Sequence, residues 1–205
     1  IQTIALGMLP RAIKRFSMEH PDVGLSIHTG HSSTIAQWVD ARFCDMGIVS
    51  LLSPQNYSSE PEEIYRTDGV CMMHASHRLA RNDVITPQDL EGEAFISLSR
   101  QDELRNPVDR IFEEAGVTRR LNIETPYSSI ICSLVALDMG VCIMNPLVAQ
   151  DYRHAQLVSR PFRPSIAYTG MVIVPKGRPL SRLAARFREV LRDVAMEECM
   201  ALPKY

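Results

Sequence analysis

Hydroxyl side chains cluster at three points where an apolar segment gives way to the next predicted element. These clusters are Ser32, Ser33 and Thr34; Ser97 and Ser99; and Thr125, Tyr127, Ser128 and Ser129. A helix N-terminus carries unpaired N–H groups and about half a positive charge, so it attracts anions. In open α/β sheets, ligands bind outside the carboxyl ends of the strands. The sequence therefore predicts a binding site for a small molecule, without a catalytic group.

Two charged residues accompany these hydroxyl groups. Arg100 directly follows Ser99, and its planar guanidinium can bind a carboxylate through two parallel hydrogen bonds. The alternative for Arg100 is a surface ion pair with Asp102 or Glu103. Glu124 ends a predicted strand, where its carboxylate could meet the ammonium group of a ligand or serve a structural role.

The same residues also allow interpretations that involve no ligand. Ser and Thr are favoured helix N-caps, so a plain N-cap is the alternative role of Ser32, Ser33 and Thr34. In the cluster of Thr125, Tyr127, Ser128 and Ser129 one residue is expected to cap the helix, and a capping residue can still bind a ligand. Ser97 and Ser99 alternate along a strand, which places both side chains on one side and Leu98 on the other.

Catalytic and metal-binding motifs are missing from the sequence. It contains no G-x-S-x-G elbow, P-loop or G-x-G-x-x-G, and its three lysines (14, 176 and 204) lie outside apolar runs, which disfavours Schiff-base chemistry. His74 and His77 have a metal-like spacing, but Cys71 is the only soft ligand nearby. We therefore predict neither an enzyme nor a site for a metal or cofactor.

The composition is that of an ordinary globular protein. The chain has 205 residues, 45% of them apolar and 22% charged, with a net charge of −2. It lacks the basic character of a nucleic-acid-binding domain, an apolar run of about 18 residues, and a signal peptide. Its five cysteines are odd in number and form no C-x-x-C, which predicts reduced thiols in a cytoplasmic protein.

The spacing of apolar residues predicts alternating strands and helices. In the first part we expect a helix at 6–16 with Pro10 in its first turn, a strand at 23–28, a helix after Ser32, and a strand at 46–49, which together form a βαβ unit. The central stretch is predicted as strand 95–99, helix 104–115, strand 121–124, helix 128–139 and strand 141–145. Gly116 and Gly140 follow the two helices as expected left-handed C-cap residues.

The remaining elements return the chain to its first half. Two strand pieces are predicted within 64–73, a short helix at 147–152, strands at 157–161 and 168–174, and a long final helix capped by Ser181. This order predicts an α/β fold with two Rossmann-like lobes joined by a hinge. Residues 1–70 with 168–205 would form lobe I and residues 71–167 lobe II, with the ligand in the cleft between them.

Several short motifs, taken in order, resemble the effector-binding domain of LysR-type transcriptional regulators. They are LPRAI at 9–13 with Phe16, HPDV at 20–23, Asp45 with Gly47 and Ile48, HRLA at 77–80, LEGE at 90–93, and KGRPLS at 176–181. The segments FISLSR at 95–100, Arg119 with Arg120, Glu124 with Thr125, and NPL at 145–147 resemble the branch that contains the diaminopimelate-responsive lysine-biosynthesis activator and the opine-responsive regulators.

The resemblance implies a periplasmic-binding-protein-like fold (type 2) that binds an amino-acid-like effector. It also implies a homo-oligomer, a dimer or tetramer, with contacts through the first helix and the helix at 107–115. Promoter DNA would bind a winged helix-turn-helix that this chain lacks, and the family's first strand, expected before Ile1, would be missing too. Thr3 and Asn145 complete the effector-binding set that the resemblance implies.

Two other functions fit the same pattern. A periplasmic-type solute-binding protein for an amino-acid derivative would share the fold, although the cysteines and the missing signal peptide disfavour it. The second alternative is an oligomerisation module whose cleft is vestigial. A cleft filled with apolar side chains would favour this alternative.

Overall fold

The computed structural model describes residues 7–50, 61–152, 156–177 and 179–203. Within them the helices are α1 Met8–Glu19, α2 Ser32–Asp40, α3 Arg105–Glu114, α4 Ser128–Ala136, α5 Pro146–Asp151 and α6 Arg182–Met200. The strands are β1 Gly47–Ser50, β2 Glu62–Asp68, β3 Val70–His74, β4 Ala94–Leu98, β5 Arg120–Thr125, β6 Cys142–Met144, β7 Leu157–Pro161 and β8 Ala167–Ile173. Short 3-10 turns lie at Arg78–Arg81 and Gln88–Leu90.

The chain divides into two compact units. Unit 1 comprises Ile1–Arg66 and Thr169–Ala201, and unit 2 comprises Thr67–Tyr168 and Leu202–Tyr205. The chain therefore passes from one unit to the other within β2 and again within β8. The assignment of the two units as ligand-binding lobes stays a prediction.

Unit 1 combines a small sheet with a pair of long helices. The strands lie in the order β1-β8-β2, with β1 antiparallel to β8. Helix α1 packs on α6, where the rings of Phe16 and Phe187 meet edge to face with centroids 5.3 Å apart. Ser181 caps α6 as predicted, since its hydroxyl accepts a hydrogen bond from the backbone N–H of Ala184 at 3.1 Å.

Unit 2 contains two sheet segments around an apolar core. Strand β3 lies between β6 and β7 and is antiparallel to both, whereas β4 and β5 are parallel. Strand β4 also bonds the start of β6, because Ile96 N–H donates to Val141 O and Val141 N–H to Ala94 O. Phe95, Phe112 and Phe162 fill the core below these strands. The residues nearer the carboxyl ends of β4 and β5, Ile96, Leu98 and Ile123, pack in a second apolar cluster with residues of α4 and β6.

The structure contradicts the predicted strand at 23–28. Its residues carry the alternation of a strand, but they pair with no strand in the described part of the chain, and Leu25 and Ile27 are 41% and 54% exposed. An alternating segment without a hydrogen-bonding partner is not a strand, so among the described residues the predicted βαβ unit lacks its first strand.

The C-terminal end of α4 also differs from expectation. The helix ends at Ala136 rather than near Met139, and Asp138 takes the left-handed conformation with φ 57°. Gly140 has φ 152°, outside the left-handed helical region, so only Gly116, with φ 65°, occupies the predicted type of position. Leu6 and Thr3 lie outside the described residues.

All five cysteines are free thiols, and three of them, Cys71, Cys132 and Cys142, are buried. Burial raises the pKa of Cys132 to about 12. The buried thiols are therefore protonated at neutral pH and behave as small apolar side chains.

Candidate functional site

The carboxyl ends of the parallel strands β4 and β5 bring several predicted site residues together. Ser97 is in register with Glu124 and Leu98 with Thr125, and the N–H of Ser99 donates to Thr125 O at 3.2 Å. Because side chains alternate along a strand, Ser97 shares a face with Glu124 and Thr125 lies on the opposite face. We call the region formed by Ser97, Ser99, Arg100, Thr125 and the first turn of α4 the unit 2 edge.

Arg100 is an exposed cation at this edge. It forms neither of the ion pairs considered as its structural role, and no other hydrogen bond or ion pair within the described residues. Asp102 instead accepts a hydrogen bond from the N–H of Leu104 at 3.0 Å. The guanidinium of Arg100 is therefore open to an incoming anion.

Glu124 has a structural partner that the sequence did not reveal. Arg105, the first residue of α3, is only 4% exposed, and its Nη1 lies 2.8 Å from Glu124 Oε1. The same Nη1 donates to Leu98 O at 3.1 Å, and Nε donates to Asp109 Oδ2 at 2.9 Å. One buried guanidinium thus joins the ends of β4 and β5 to the first turns of α3.

A second buried arginine completes this charge network. Arg119 forms an ion pair with the other oxygen of Asp109, and its guanidinium carbon lies over the rings of Phe95 and Phe112 at 5.1 and 4.5 Å from their centroids. Burial alone would lower the pKa of Arg105, but Glu124 and Asp109 outweigh it and raise that pKa. Two cations and two carboxylates therefore form a network without net charge.

The start of α4 follows the unit 2 edge along the chain. Tyr127 occupies the N-cap position, but its side chain does not cap the helix, and 47% of it is exposed. The buried Thr125 hydroxyl accepts a hydrogen bond from Tyr127 N–H at 3.3 Å, and Ser129 hydrogen-bonds the phenol of Tyr152. The prediction that a hydroxyl of this cluster caps the helix is therefore wrong.

The third hydroxyl cluster lies in unit 1, in the first turn of α2. The N-cap of this helix is His31, so the alternative role of the three hydroxyl residues as a plain N-cap does not apply. Ser32 instead bonds the end of β1, since its Oγ donates to Ser50 O at 3.3 Å and accepts from Ser50 N–H at 3.4 Å. Ser33 is exposed and Thr34 half-buried, which leaves their polar groups near the unpaired N–H groups of the helix start.

Asn145 is placed differently from the other predicted contacts. It is 3% exposed and caps α5, because its Oδ1 accepts from Leu147 N–H at 3.0 Å and from the hydroxyl of Thr67 at 3.1 Å. These bonds give Asn145 a structural role in unit 2. Contact between Asn145 and an effector stays a prediction.

The two histidines with metal-like spacing have other partners. His74 bonds Ser76 at 2.7 Å and Gln156 at 3.0 Å, and His77 accepts from the N–H of Leu79. Within the described ranges, no group of three or more His, Cys, Asp or Glu side chains is arranged to hold a metal ion.

Unit 1 also contains an apolar groove of about 450 Å³. It lies between α1, the segment at 23–29 and the residues that lead into β1, and its lining includes Phe16, Trp38 and Phe187. None of the predicted effector-binding residues that the structure describes lines this groove. The groove is therefore a feature separate from the hydroxyl clusters.

Arg105 is the functional residue that sequence analysis missed. Val108 and Phe112 follow it by three and seven residues and are both buried, so the helical period places Arg105 on the buried face of α3. An arginine on an apolar helical stripe signals a buried ion pair, since a charge is almost never fully buried without a partner. Its partners on β4 and β5 are distant in sequence and carry no such signal.

The geometry of the strand ends and hydroxyl clusters can now be compared with known proteins. A family model described as the LysR substrate binding domain matches residues 1–196. The chain belongs to this family. None of the helices in the described part of this LysR-type domain has the length and hydropathy of a membrane span.

Two curated relatives are bacterial regulators. The transcriptional activator protein LysR of Escherichia coli (strain K12) is 36% identical over 88% of this chain, and the regulatory protein NocR of Agrobacterium tumefaciens (strain T37) is 32% identical over 92%. The chain covers 58% and 63% of the lengths of these two proteins. The predicted family is therefore confirmed.

Solved structures show the same fold at low sequence identity. The effector-binding domain of BenM with its effector benzoate superposes with a TM-score of 0.77 at 19% identity, over 99% of this chain and 92% of that one. The effector-binding domain of QuiR in complex with shikimate gives 0.76 at 19%, over 95% and 93%. The Synechocystis PCC6803 CcmR regulatory domain in complex with 2-PG gives 0.79 at 21%, over 94% and 93%. The α/β fold class of the LysR-type domain is therefore confirmed.

Proposed function

We propose that this LysR-type domain senses an amino-acid-like metabolite of the diaminopimelate, lysine or opine type. The observation that carries the proposal is the unit 2 edge, where hydroxyl groups and the unpaired guanidinium of Arg100 occur together at the carboxyl ends of parallel strands. Such strand ends are common ligand sites in α/β proteins. The LysR and NocR relatives support the amino-acid-like class, because the sequence resembles the same branch.

The proposed contacts are mainly donors to an effector carboxylate. They are Thr3, Ser32, Ser33, Thr34, Ser97, Ser99, Arg100, Thr125, Tyr127, Ser128, Ser129 and Asn145. Benzoate and shikimate, which the solved BenM and QuiR domains hold, are both carboxylates, which supports this chemistry. Binding would favour one state of the oligomer over another and so alter DNA binding.

Isothermal titration calorimetry tests the ligand class. We expect saturable heat with one of diaminopimelate, lysine, arginine or an opine, at a stoichiometry of about one ligand per chain. The compound that gives saturable heat should also raise the melting temperature of the domain, because a ligand that binds only the folded state stabilises it. Failure of all four compounds to bind would contradict the amino-acid assignment.

Substitutions at the unit 2 edge test the site itself. Arg100→Gln and Ser99→Ala should each weaken the affinity about tenfold or more, since hydrogen bonds to charged groups contribute about 1.5–3 kcal/mol. Arg81→Gln and Thr118→Ala are matched controls, because both residues are exposed in unit 2 and lie outside the proposed site. If all four variants bound the ligand with equal affinity, the ligand would lie outside the unit 2 edge.

The other properties belong to the same proposal. We propose a cytoplasmic regulator without catalytic activity that works as a dimer or tetramer and contacts promoter DNA through a winged helix-turn-helix outside this chain. Contacts between copies would use α1 and the helix at 107–115. Sedimentation velocity tests this assembly, and a monomer at micromolar concentration would contradict it.

A further inference from the structure

Arg105 affects what the unit 2 edge can bind, although it does not face solvent. Its side chain is 3% exposed, and it holds the Glu124 carboxylate at 2.8 Å. The Glu124 side chain is 36% exposed and is in register with Ser97, so without Arg105 it would present a negative charge beside the hydroxyl groups. A carboxylate in that position would attract a ligand ammonium and repel a ligand carboxylate.

The charges of the network determine whether the unit 2 edge attracts a ligand ammonium group or a ligand carboxylate. Arg105 and Arg119 supply two positive charges, and Asp109 and Glu124 supply two negative charges. The network is therefore already neutral before any ligand arrives. Arg100, one residue after Ser99, adds an exposed positive charge that this network does not compensate.

We propose that Arg105 is a positioning residue that neutralises Glu124 and thereby makes the unit 2 edge selective for an anionic group rather than a cationic one. This inference rests on the proposed function and names the part of the ligand that unit 2 recognises. The carboxylate of an amino-acid-like effector lies at Ser97, Ser99 and Arg100, and its ammonium group finds no acceptor in Glu124.

Arg105 also holds the backbone of the unit 2 edge in position through its hydrogen bonds. It donates to Leu98 O, the last carbonyl of β4, and to Glu124 on β5, while Nε holds Asp109 one turn along α3. The planar fork of arginine makes these three bonds at once, which the single ammonium of lysine cannot do with the same geometry. Ser99 follows directly after Leu98, so the backbone that leads into Ser99 is held by the same contact.

A double-mutant cycle with two ligands tests the proposal. The variants are Glu124→Gln, Arg105→Gln and the combination of both, with Glu91→Gln as an exposed control elsewhere in unit 2. The ligands are meso-diaminopimelate and heptanedioate, which has the same carbon chain and two carboxylates but no amine. Calorimetry on the intact protein gives the dissociation constants.

We expect Glu124→Gln to change the dissociation constant of either ligand by less than threefold. Arg105→Gln should weaken heptanedioate binding at least tenfold, because it leaves an unpaired carboxylate beside the anion, and the double variant should recover to within threefold of the starting protein. A tenfold loss of diaminopimelate binding in Glu124→Gln, with heptanedioate unchanged, would overturn the proposal, since Glu124 would then bind the ammonium group.

A stability measurement separates this inference from the proposed function. In urea unfolding, Glu124→Gln should raise the midpoint of the Arg105→Gln variant, because it removes the carboxylate that has lost its partner. No rise would overturn the neutralising role of Arg105. If the starting protein bound neither ligand, the proposed function would fail, while this unfolding comparison would still decide whether Arg105 neutralises Glu124. Should Arg105→Gln not fold, Glu124→Gln and its control decide the question of charge preference.

Discussion

Two sets of arginine ion pairs, one in each unit of the domain, lie in opposite environments. In unit 1, Arg15 and Arg186 join α1 to α6 through Glu197 and Glu19, and the four side chains are between 37% and 55% exposed. In unit 2, Arg105 and Arg119 are 3% and 8% exposed. Exposed ion pairs contribute about 0–1 kcal/mol, whereas breaking a buried pair costs about 3–5 kcal/mol.

This contrast separates helix packing from the shape of the candidate site. The exposed pairs of unit 1 lie beside a helix contact that apolar residues such as Phe16 already hold together. The buried pairs of unit 2 hold the strand ends themselves. A loss of charge should therefore be tolerated at Arg15 or Arg186 and harmful at Arg105.

The largest effect is expected from Arg105→Ala. It should lower the free energy of unfolding by about 3–5 kcal/mol, because Glu124 and Asp109 lose a buried partner. Urea denaturation measures this change, and Arg81→Ala on the surface of unit 2 is the control, with an expected change within about 0.5 kcal/mol. If Arg105→Ala cost no more than Arg15→Ala in unit 1, the contrast between the units would be wrong.

Thr67→Val should have the next largest effect. The Thr67 hydroxyl is buried and donates to Asn145 Oδ1 at 3.1 Å, and valine has nearly the same shape without the hydrogen bond. We expect a loss of about 1–2 kcal/mol, measured by urea denaturation. The exposed Thr118→Val serves as the control. An unchanged stability would show that Leu147 N–H alone satisfies Asn145.

In unit 1 the polar contact with the largest effect on stability should be a local one, the N-cap of α6. Ser181→Ala removes the N-cap of α6 and should cost about 1 kcal/mol in the free energy of unfolding. Ser17→Ala, a serine-to-alanine change inside α1, is the matched control and should be close to neutral. A larger loss from Ser17→Ala than from Ser181→Ala would contradict the capping role.

The smallest effect concerns acid stability. Hydrogen bonds from Arg186 and Arg15 lower the pKa of Glu19 and Glu197 below the ordinary glutamate value of 4.5. The stability that these pairs contribute is fully present above pH 4.5 and is lost as the pH falls through the lowered pKa of the folded state. Melting temperatures of the protein and of Glu19→Gln/Glu197→Gln should differ slightly at pH 7 and converge at pH 3. A difference that grows towards pH 3 would exclude these pairs as its cause.

Much of the fold could be predicted because the signals are local. The apolar alternation of 95–99 and the hydroxyl residues beyond it located β4 within one residue, and the Ser181 cap located the start of α6. Local sequence signals could not show whether residues 23–28 form a strand. Strand formation depends on a partner, and the alternation of Val23, Leu25 and Ile27 says nothing about whether that partner is present.

The candidate site was less predictable than the fold. Sequence placed Ser97, Ser99 and Thr125 near strand ends, but it could not give the register that pairs Ser97 with Glu124. It also expected a hydroxyl cap on α4, where Tyr127 holds the N-cap position and its side chain makes no capping hydrogen bond. The register depends on pairing between two strands that are distant in the chain, which local sequence does not record.

Gly140 lies where two backbone segments of unit 2 approach each other closely. A side-chain carbon at this position would lie 2.5 Å from the carbonyl oxygen of Ala94, so only glycine lets the chain enter β6 close enough to bond β4. Held from both flanks, the main chain beneath Ser97 has little room to shift. New ligand preferences in relatives or in redesigned sensors should therefore arise from exchanging side chains and the short loop at 99–104, while the backbone below keeps its course.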